Sequence, residues 1–459
     1  MLKALPALRS GAAQYARAYA DHAGSSANLV IAFPVRLARD IITAVGVIAD
    51  YKWSLRGLEG SQREEAKHAC HARGADRLQR LCFANGGIYI KLGQHIVQLD
   101  HMLPTEYVKA MRLSMLDKCP VETYAQVART ISEDLGSPPD KLYASFEPVP
   151  VASASLAQVH RATGHDGRAL AVKVQHAGLR DSFAADAFTV EVLVKAAHWL
   201  FPDFNYQWLV EEVKHSLPKE LDFNAEAANA ARCAANLASP LSSIEPGQVV
   251  VPAILPSLSS ARVLTMEFVE GYEVTERERM LSEGLQPQEV ANIVSRTFND
   301  MIFQFGDVHC DPHAANVFVR KHQGKAQIVT NASSIDHLSL TGSEEERLEL
   351  QGYAAQFAQQ ISALLWKVPQ EVLLLLKTND CLRSIDHALG QPVNTFVITA
   401  RTCSKAISRH RSTVSPGFRS WWLGVRDSIS IELRVLAMRV LSCAKYQDID
   451  FHFITIFFD

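Results

Sequence analysis

No two of the eight cysteines stand two residues apart; they fall singly at Cys70, Cys82, Cys119, Cys233, Cys310, Cys381, Cys403 and Cys443. That scatter argues against a structural zinc site and against a disulfide framework, and it fits a reducing compartment. Charge of one sign is also scarce. A formal net charge of −3 over 459 residues provides no basic face or tail for nucleic acid. A bilayer-crossing helix needs about twenty nearly uncharged apolar residues, and no such run is present. The nearest, Leu29 to Ala49, is broken by Pro34, Arg36, Arg39 and Asp40. Three charges near its middle would be costly in hydrocarbon, so residues 29–60 read as an interfacial or packed helix, with membrane association left open. Internal repeats and low-complexity segments are missing as well.

Acids are absent from the first twenty residues, where Lys3, Arg9 and Arg17 stand among Ser, Ala and Tyr. Cationic, acid-poor composition is what import into mitochondria requires, and residues 1–28 are read as a targeting segment. A frayed basic helix is the plainer alternative. The remainder has the 48% apolar and 21% charged residues of an ordinary globular chain, long enough for two or three domains.

Periodicity divides that remainder. Residues 61–140 are rich in helix formers, with Leu78, Leu81, Ile88, Ile90 and Leu92 at helical spacing. Breaks are expected at Leu103-Pro104 and Pro138-Pro139. Over 141–270 short β-like runs enter: Ala157 to His160 and Leu170 to Val174 flank the turn His165-Asp166-Gly167, which predicts a hairpin. Helix is expected again from Asp181 to Leu237, interrupted at Pro202 and Pro218, then strands over Val249 to Ile254 and Val263 to Val269. Residues 271–459 read as helical apart from a hairpin near Lys321 to Gly324. A small mixed lobe followed by a larger helical lobe gives an α+β, protein-kinase-like, two-lobed fold with a helical N-terminal extension.

Phosphoryl transfer needs a cation on the phosphates, a carboxylate near the acceptor and side chains that hold magnesium. Leu170-Ala171-Val172-Lys173-Val174 resembles the strand that carries the phosphate lysine of kinases. A solvent-facing edge lysine is the plain reading of Lys173 alone. Val308 to Val317 is sharper, because Asp311 and Asn316 keep the spacing of a kinase catalytic loop between apolar flanks. There the aspartate would orient the attacking group and the asparagine oxygen would ligate magnesium. A transition-metal cluster of His309, Cys310, Asp311 and His313, or a capped helix start, are competing readings. Ligands so close in sequence rarely converge on one ion.

Taken together these segments resemble the UbiB-type, aarF-domain-containing atypical kinases, in their mitochondrial animal branch. Lys91-Leu92-Gly93-Gln94 matches the family's K-x-G-Q motif, and Ala152 to Ala162 the alanine-rich loop that replaces a glycine-rich one. Glu220-Leu221-Asp222 matches E-x-D, Glu226 falls at the αC glutamate, and His309 to Asn316 matches H-x-D-P-H-P-G-N with Ala314-Ala315 in place of Pro-Gly. The resemblance implies ATP and magnesium as cofactors, with Ala152, Ala154 and Ser155 around the phosphates and Lys173 on them, paired with Glu226. It implies a hinge from Met266 to Glu270 holding adenine, with Glu267 and Val269 in the site, and Asp311 as the catalytic aspartate. Lys91, Gly93, Gln94, Glu220 and Asp222 would be regulatory, closing the site to protein substrates. Cβ atoms at Ala152 and Ala154 restrict backbone approach to phosphate. The resemblance implies an ATPase or small-molecule kinase linked to coenzyme Q or membrane lipid homeostasis, whose partners are nucleotide and a mitochondrial membrane lipid or coenzyme Q precursor.

One expected part is missing. The family has an apolar strand ending in Asp-His-Gly, whose aspartate holds magnesium. Here Ile328-Val329 begins the strand but Thr330-Asn331-Ala332-Ser333-Ser334 follows. Asp336 is the nearest substitute metal ligand. The helical stretch expected before Val368 to Leu389 is also shortened, to Ser343–Leu365. Loss of a block that includes the aspartate accounts for both departures; local drift with Asp336 still serving is the alternative. The first outcome makes the chain a pseudokinase, a nucleotide-binding, membrane-associated scaffold.

Overall fold

The computed structural model describes residues 27–98, 103–115, 121–200, 207–308, 316–330, 370–391, 393–415 and 417–445. Helices come first: α1 (Ala27–Ser54), α2 (Gly60–Asn85), α3 (Ile88–Gln98), α4 (Thr105–Met115), α5 (Tyr124–Leu135) and the single turn α6 (Pro139–Leu142). Strands β1 (Ser145–Phe146), β2 (Ala152–Ser153), β3 (Ala157–Thr163) and β4 (Ala169–Gln175) follow, then helices α7 (Leu179–Leu200), α8 (Gln207–Glu220) and α9 (Phe223–Leu237). The chain continues through β5 (Val249–Val250), β6 (Val263–Glu267), β7 (Tyr272–Glu273), α10 (Arg277–Ser282) and α11 (Pro287–Asp300). Last come β8 (Val317–His322), β9 (Lys325–Thr330), α12 (Gln370–Ala388), α13 (Thr395–Val414) and α14 (Phe418–Lys445). They group into two compact units, one of residues 1–231, 252–269 and 332–380, the other of residues 232–251, 270–331 and 381–459. The division is therefore not one cut in sequence: residues 232–251 go with the second unit.

In the first unit an antiparallel sheet runs β1-β3-β4-β6, with β2 also paired to β3. The β3–β4 hairpin closes where Gly167 takes φ +80°, a left-handed conformation that glycine adopts without steric cost. Alternation along β4 places Leu170, Val172 and Val174 in a core with Val127 and Ile131 of α5, Tyr143 and Val263. The opposite face of the sheet contributes Ala171, Leu264 and Met266 to a second cluster with Phe223 and Ala227 of α9. Lys173 lies on this α9 face, in register with Leu264 of β6.

The helical extension is joined by ion pairs, which explains the charges inside α1. Arg36 forks onto Asp186 of α7 and donates to the Asn85 carbonyl. Asp40, 1% exposed, accepts from Tyr89 Oη at 2.7 Å and Asn85 Nδ2 at 2.9 Å. Asp50 accepts from Arg73 and Arg77 of α2. Apolar packing of Leu81, Ile88, Tyr89, Ile90, Met111 and Leu217 fills the space between α2, α3, α4 and α8. Among the described residues no helix is long and apolar enough to cross a membrane.

The second unit holds the sheet β5-β9-β8-β7, in which β8 and β9 form the hairpin expected near Lys321 to Gly324. Its core joins Val317, Val319, Ala326 and Ile328 to Val290, Val294 and Phe298 of α11. Some sequence expectations are corrected. The strand over Val249 to Ile254 stops at Val250, where Pro252 soon removes a donor. The strand from Val263 ends at Glu267. Pro218 does not interrupt the helix but sits inside its last turn.

Asp40 makes a test of the α1 attachment. Burial pushes its carboxyl up to about 6 from the ordinary 3.8, against the lowering effect of Tyr89, Arg36 and Asn85. Burial raises Asp186 too, with Arg36 opposing. Between the ordinary and raised values the folded protein binds more protons than the unfolded chain, so this group stabilises the fold as pH falls. Relative to Asp40→Asn, the parent should gain in urea midpoint on going from about pH 7 to about pH 5. An unchanging gap between the two proteins would contradict the assignment.

Candidate functional site

Lys173 is fixed from both sides by its strand, because β4 is paired with β3 and β6 throughout its middle. Its ammonium reaches across to α9 and donates to both carboxylate oxygens of Glu226, at 2.9 and 2.8 Å. Both side chains are mostly enclosed, 19% and 11% exposed. The same ammonium lies 4.7 Å from the centroid of the Phe223 ring, a cation–π contact. A lysine held by an αC-type glutamate is the pair that kinases must assemble before phosphoryl transfer.

Asp222 caps the start of α9, its Oδ1 accepting from the Asn224 amide at 3.1 Å. Two residues earlier, Glu220 pairs with Lys91 of α3 at 2.9 Å, both side chains less than a tenth exposed. Gly93 and Gln94 follow Lys91 on the same helix. The E-x-D and K-x-G-Q segments, more than a hundred residues apart in sequence, thus meet in a buried ion pair.

The alanine-rich segment starts as β2, with Ala152 opposite Val159 and Ser153 opposite Gln158. Ala154 then turns its amide onto the Ala157 carbonyl at 2.8 Å, which brings Ser155 to 6% exposure. Glu267 ends β6, and its amide donates to the Ala253 carbonyl at 2.8 Å. The Phe268 amide donates to the Ala169 carbonyl, so the segment leading to Val269 is tied to the beginning of β4.

In the second unit Asn316 is half-buried immediately before β8. His309, Cys310, Asp311 and His313 lie outside the described residues, as does Asp336. Among the described residues no three His, Cys, Asp or Glu side chains gather to hold a metal. The residues given to magnesium by resemblance are therefore seen only at Asn316. Within the first unit, Lys173 with its counter-ion in place is a cation of the kind that could meet a phosphate. Phe223 escaped the sequence reading; its signal was its place directly after the E-x-D triplet, at the start of the helix that carries Glu226.

Residues 114–350 match the model of the ABC1 atypical kinase-like domain. This chain belongs to that family. An ABC1 protein of Arabidopsis thaliana is 40% identical over 504 residues, covering 94% of this chain and 93% of that one. AarF domain-containing protein kinase 1 of Xenopus tropicalis is 35% identical, covering 82% of this chain and 83% of its own. The Mus musculus protein of the same name is 34% identical, covering 89% and 90%. The family's kinase-like, two-lobed α+β fold is the fold of this chain, with the antiparallel five-stranded sheet in one unit and the mixed four-stranded sheet with helices α11, α13 and α14 in the other. An alignment of 504 positions to the Arabidopsis protein exceeds the 459 residues of this chain by 45, so at least that many positions are filled there and empty here.

The Lys91–Glu220 pair predicts a stability pattern. Glu220→Ala should destabilise the protein by roughly 3–5 kcal/mol, because it strands a buried ammonium. Replacing both partners, Lys91→Met with Glu220→Leu, should recover most of that loss. Urea unfolding of the three proteins measures it, and a double variant no better than Glu220→Ala would contradict this account of the pair.

Proposed function

We propose that this chain is an atypical kinase or ATPase that binds Mg-ATP. The observation that carries the reading is the bidentate Lys173–Glu226 contact, made between a strand paired on both sides and a capped helix. Lys173 neutralises and positions the α- and β-phosphates, while Glu226 and the Phe223 ring keep its ammonium from swinging away. Ala152, Ala154 and Ser155 border the phosphates, and Glu267 to Val269 offers backbone groups to adenine. Asp311 orients the acceptor hydroxyl or water. Asn316 would be one residue holding magnesium and Asp336 the proposed replacement carboxylate, and the metal would supply positive charge against the phosphates.

A second reading is favoured by a separate observation. The alignment positions that the Arabidopsis protein fills and this chain leaves empty support loss of internal residues, and the metal aspartate expected after Ile328-Val329 is missing from its usual place. On that reading nucleotide binding survives and turnover does not, leaving a scaffold. The full chain with magnesium and ATP distinguishes them. An active parent should lose roughly 10²–10⁴-fold in turnover on Asp311→Asn, and should fall again on Asp336→Asn if Asp336 holds metal. Nucleotide binding without turnover in the parent is the outcome that selects the scaffold.

We also propose a mitochondrial, membrane-associated location, with a membrane lipid or coenzyme Q precursor as acceptor. Support comes from the acid-free N-terminal residues and from α1, whose exposed positions include Val35, Ile41, Ile42, Val45 and Trp53 beside Arg39 and Lys52. Deleting residues 1–28 should abolish import into isolated mitochondria; unchanged import would remove that proposal.

A further inference from the structure

Residues 154–156 of the alanine-rich segment are tied to the end of the lysine strand by His176. His176 directly follows Gln175, the last residue of β4. Its Nε2 lies 2.9 Å from the Ala154 carbonyl oxygen. A carbonyl only accepts, so Nε2 carries the proton in this contact. The backbone amide of the same histidine donates to the Leu156 carbonyl at 3.0 Å. His176 therefore grips the loop at two points, two residues apart, from a position three residues beyond Lys173.

The grip is built in rather than casual. The imidazole is 6% exposed, and its Nδ1 is buried without a hydrogen-bond partner, 3.9 Å from Oε2 of Glu122. Glu122 itself is anchored: its Oε1 accepts from the Ala177 amide at 2.8 Å, and its own amide donates to the Gln158 side-chain oxygen at 2.8 Å. Gln158, on β3, is fully buried. Behind the loop stands a packed group from the segment before α5, from β3 and from the end of β4.

We infer that His176 is a positioning residue that sets the place of the alanine-rich loop relative to Lys173 by holding the Ala154 carbonyl. The inference rests on the nucleotide reading above and deepens it. A glycine-rich loop can fold down onto phosphate, whereas Cβ atoms at Ala152 and Ala154 narrow the backbone shapes available here. Such a loop has to be placed from behind, and the placement governs how a polyphosphate fits between it and the lysine.

His176→Phe keeps a ring of similar size and removes the donor; His176→Gln restores an N–H at similar reach. The full-length proteins are compared by affinity for a fluorescent ADP analogue and, without nucleotide, by hydrogen exchange of the peptide over residues 152–157. His176→Phe should weaken affinity by about tenfold and speed loop exchange, with unfolding midpoints reported alongside. His176→Gln should return both quantities to within about threefold of the parent. If the two variants match the parent, or fall together regardless of the donor, the inference is overturned. A parent that binds no nucleotide while His176→Phe still loosens the loop and His176→Gln restores it overturns the nucleotide reading and supports the grip on the loop.

Discussion

A lysine ammonium removed from most of the surrounding water needs a fixed counter-charge, and the contact of Lys173 with Glu226 supplies it. Everything proposed for the first unit depends on that contact. The strand cannot slide, since β3 and β6 hold β4 on both edges. The helix has little freedom to rotate, since Phe223 and Ala230 bury one side of α9 while Asp222 satisfies an amide of its first turn. Were the glutamate absent, the ammonium would keep its desolvation and lose its partner.

A short turn of chain carries more of the architecture than its length implies. Glu220, at the end of α8, holds Lys91 of α3. The Leu221 carbonyl accepts from Gln175 Nε2 of β4 at 3.0 Å. Glu226 then takes Lys173 from the same strand. Residues 220–226 thus tie the helical extension to the strand that carries Lys173. A shift of α3 would be felt at Lys173 through two successive ion pairs, the first buried and the second mostly enclosed, rather than through a flexible linker.

Much of this was legible beforehand, for local reasons. The β3–β4 hairpin is encoded by alternation and by an Asp-Gly turn, both properties of adjacent residues. The partner of Lys173 came from the resemblance, which put Glu226 at the family's αC glutamate. The charges that interrupt the apolar run of α1 were readable as a bar to membrane crossing, but not as ligands for Asn85, Tyr89 and Asp186, because those contacts span up to 150 residues of sequence. Strands β2 and β7 are too short for any periodicity to register. His176 and Phe223 were invisible for a different reason. A histidine at a strand end and a phenylalanine at a helix start are ordinary residues, and only the fold reveals what each one touches.

The departures from the family's pattern are unevenly distributed, and that distribution bears on mechanism. The groups that would recognise a nucleotide's phosphates, Lys173 with Glu226 and the loop held by His176, are complete within the first unit. The aspartate and the helical stretch proposed to be lost after Thr330 are parts that would serve the metal. Interactions made equally with ground state and transition state give affinity without rate, whereas the metal's carboxylates act on charge that redistributes as the phosphoryl group moves. A chain altered in this one direction would lose turnover before it lost nucleotide. A mostly enclosed lysine–glutamate pair is then intelligible on either functional reading, because the pair would serve wherever a triphosphate has to be held, whether or not it is cleaved.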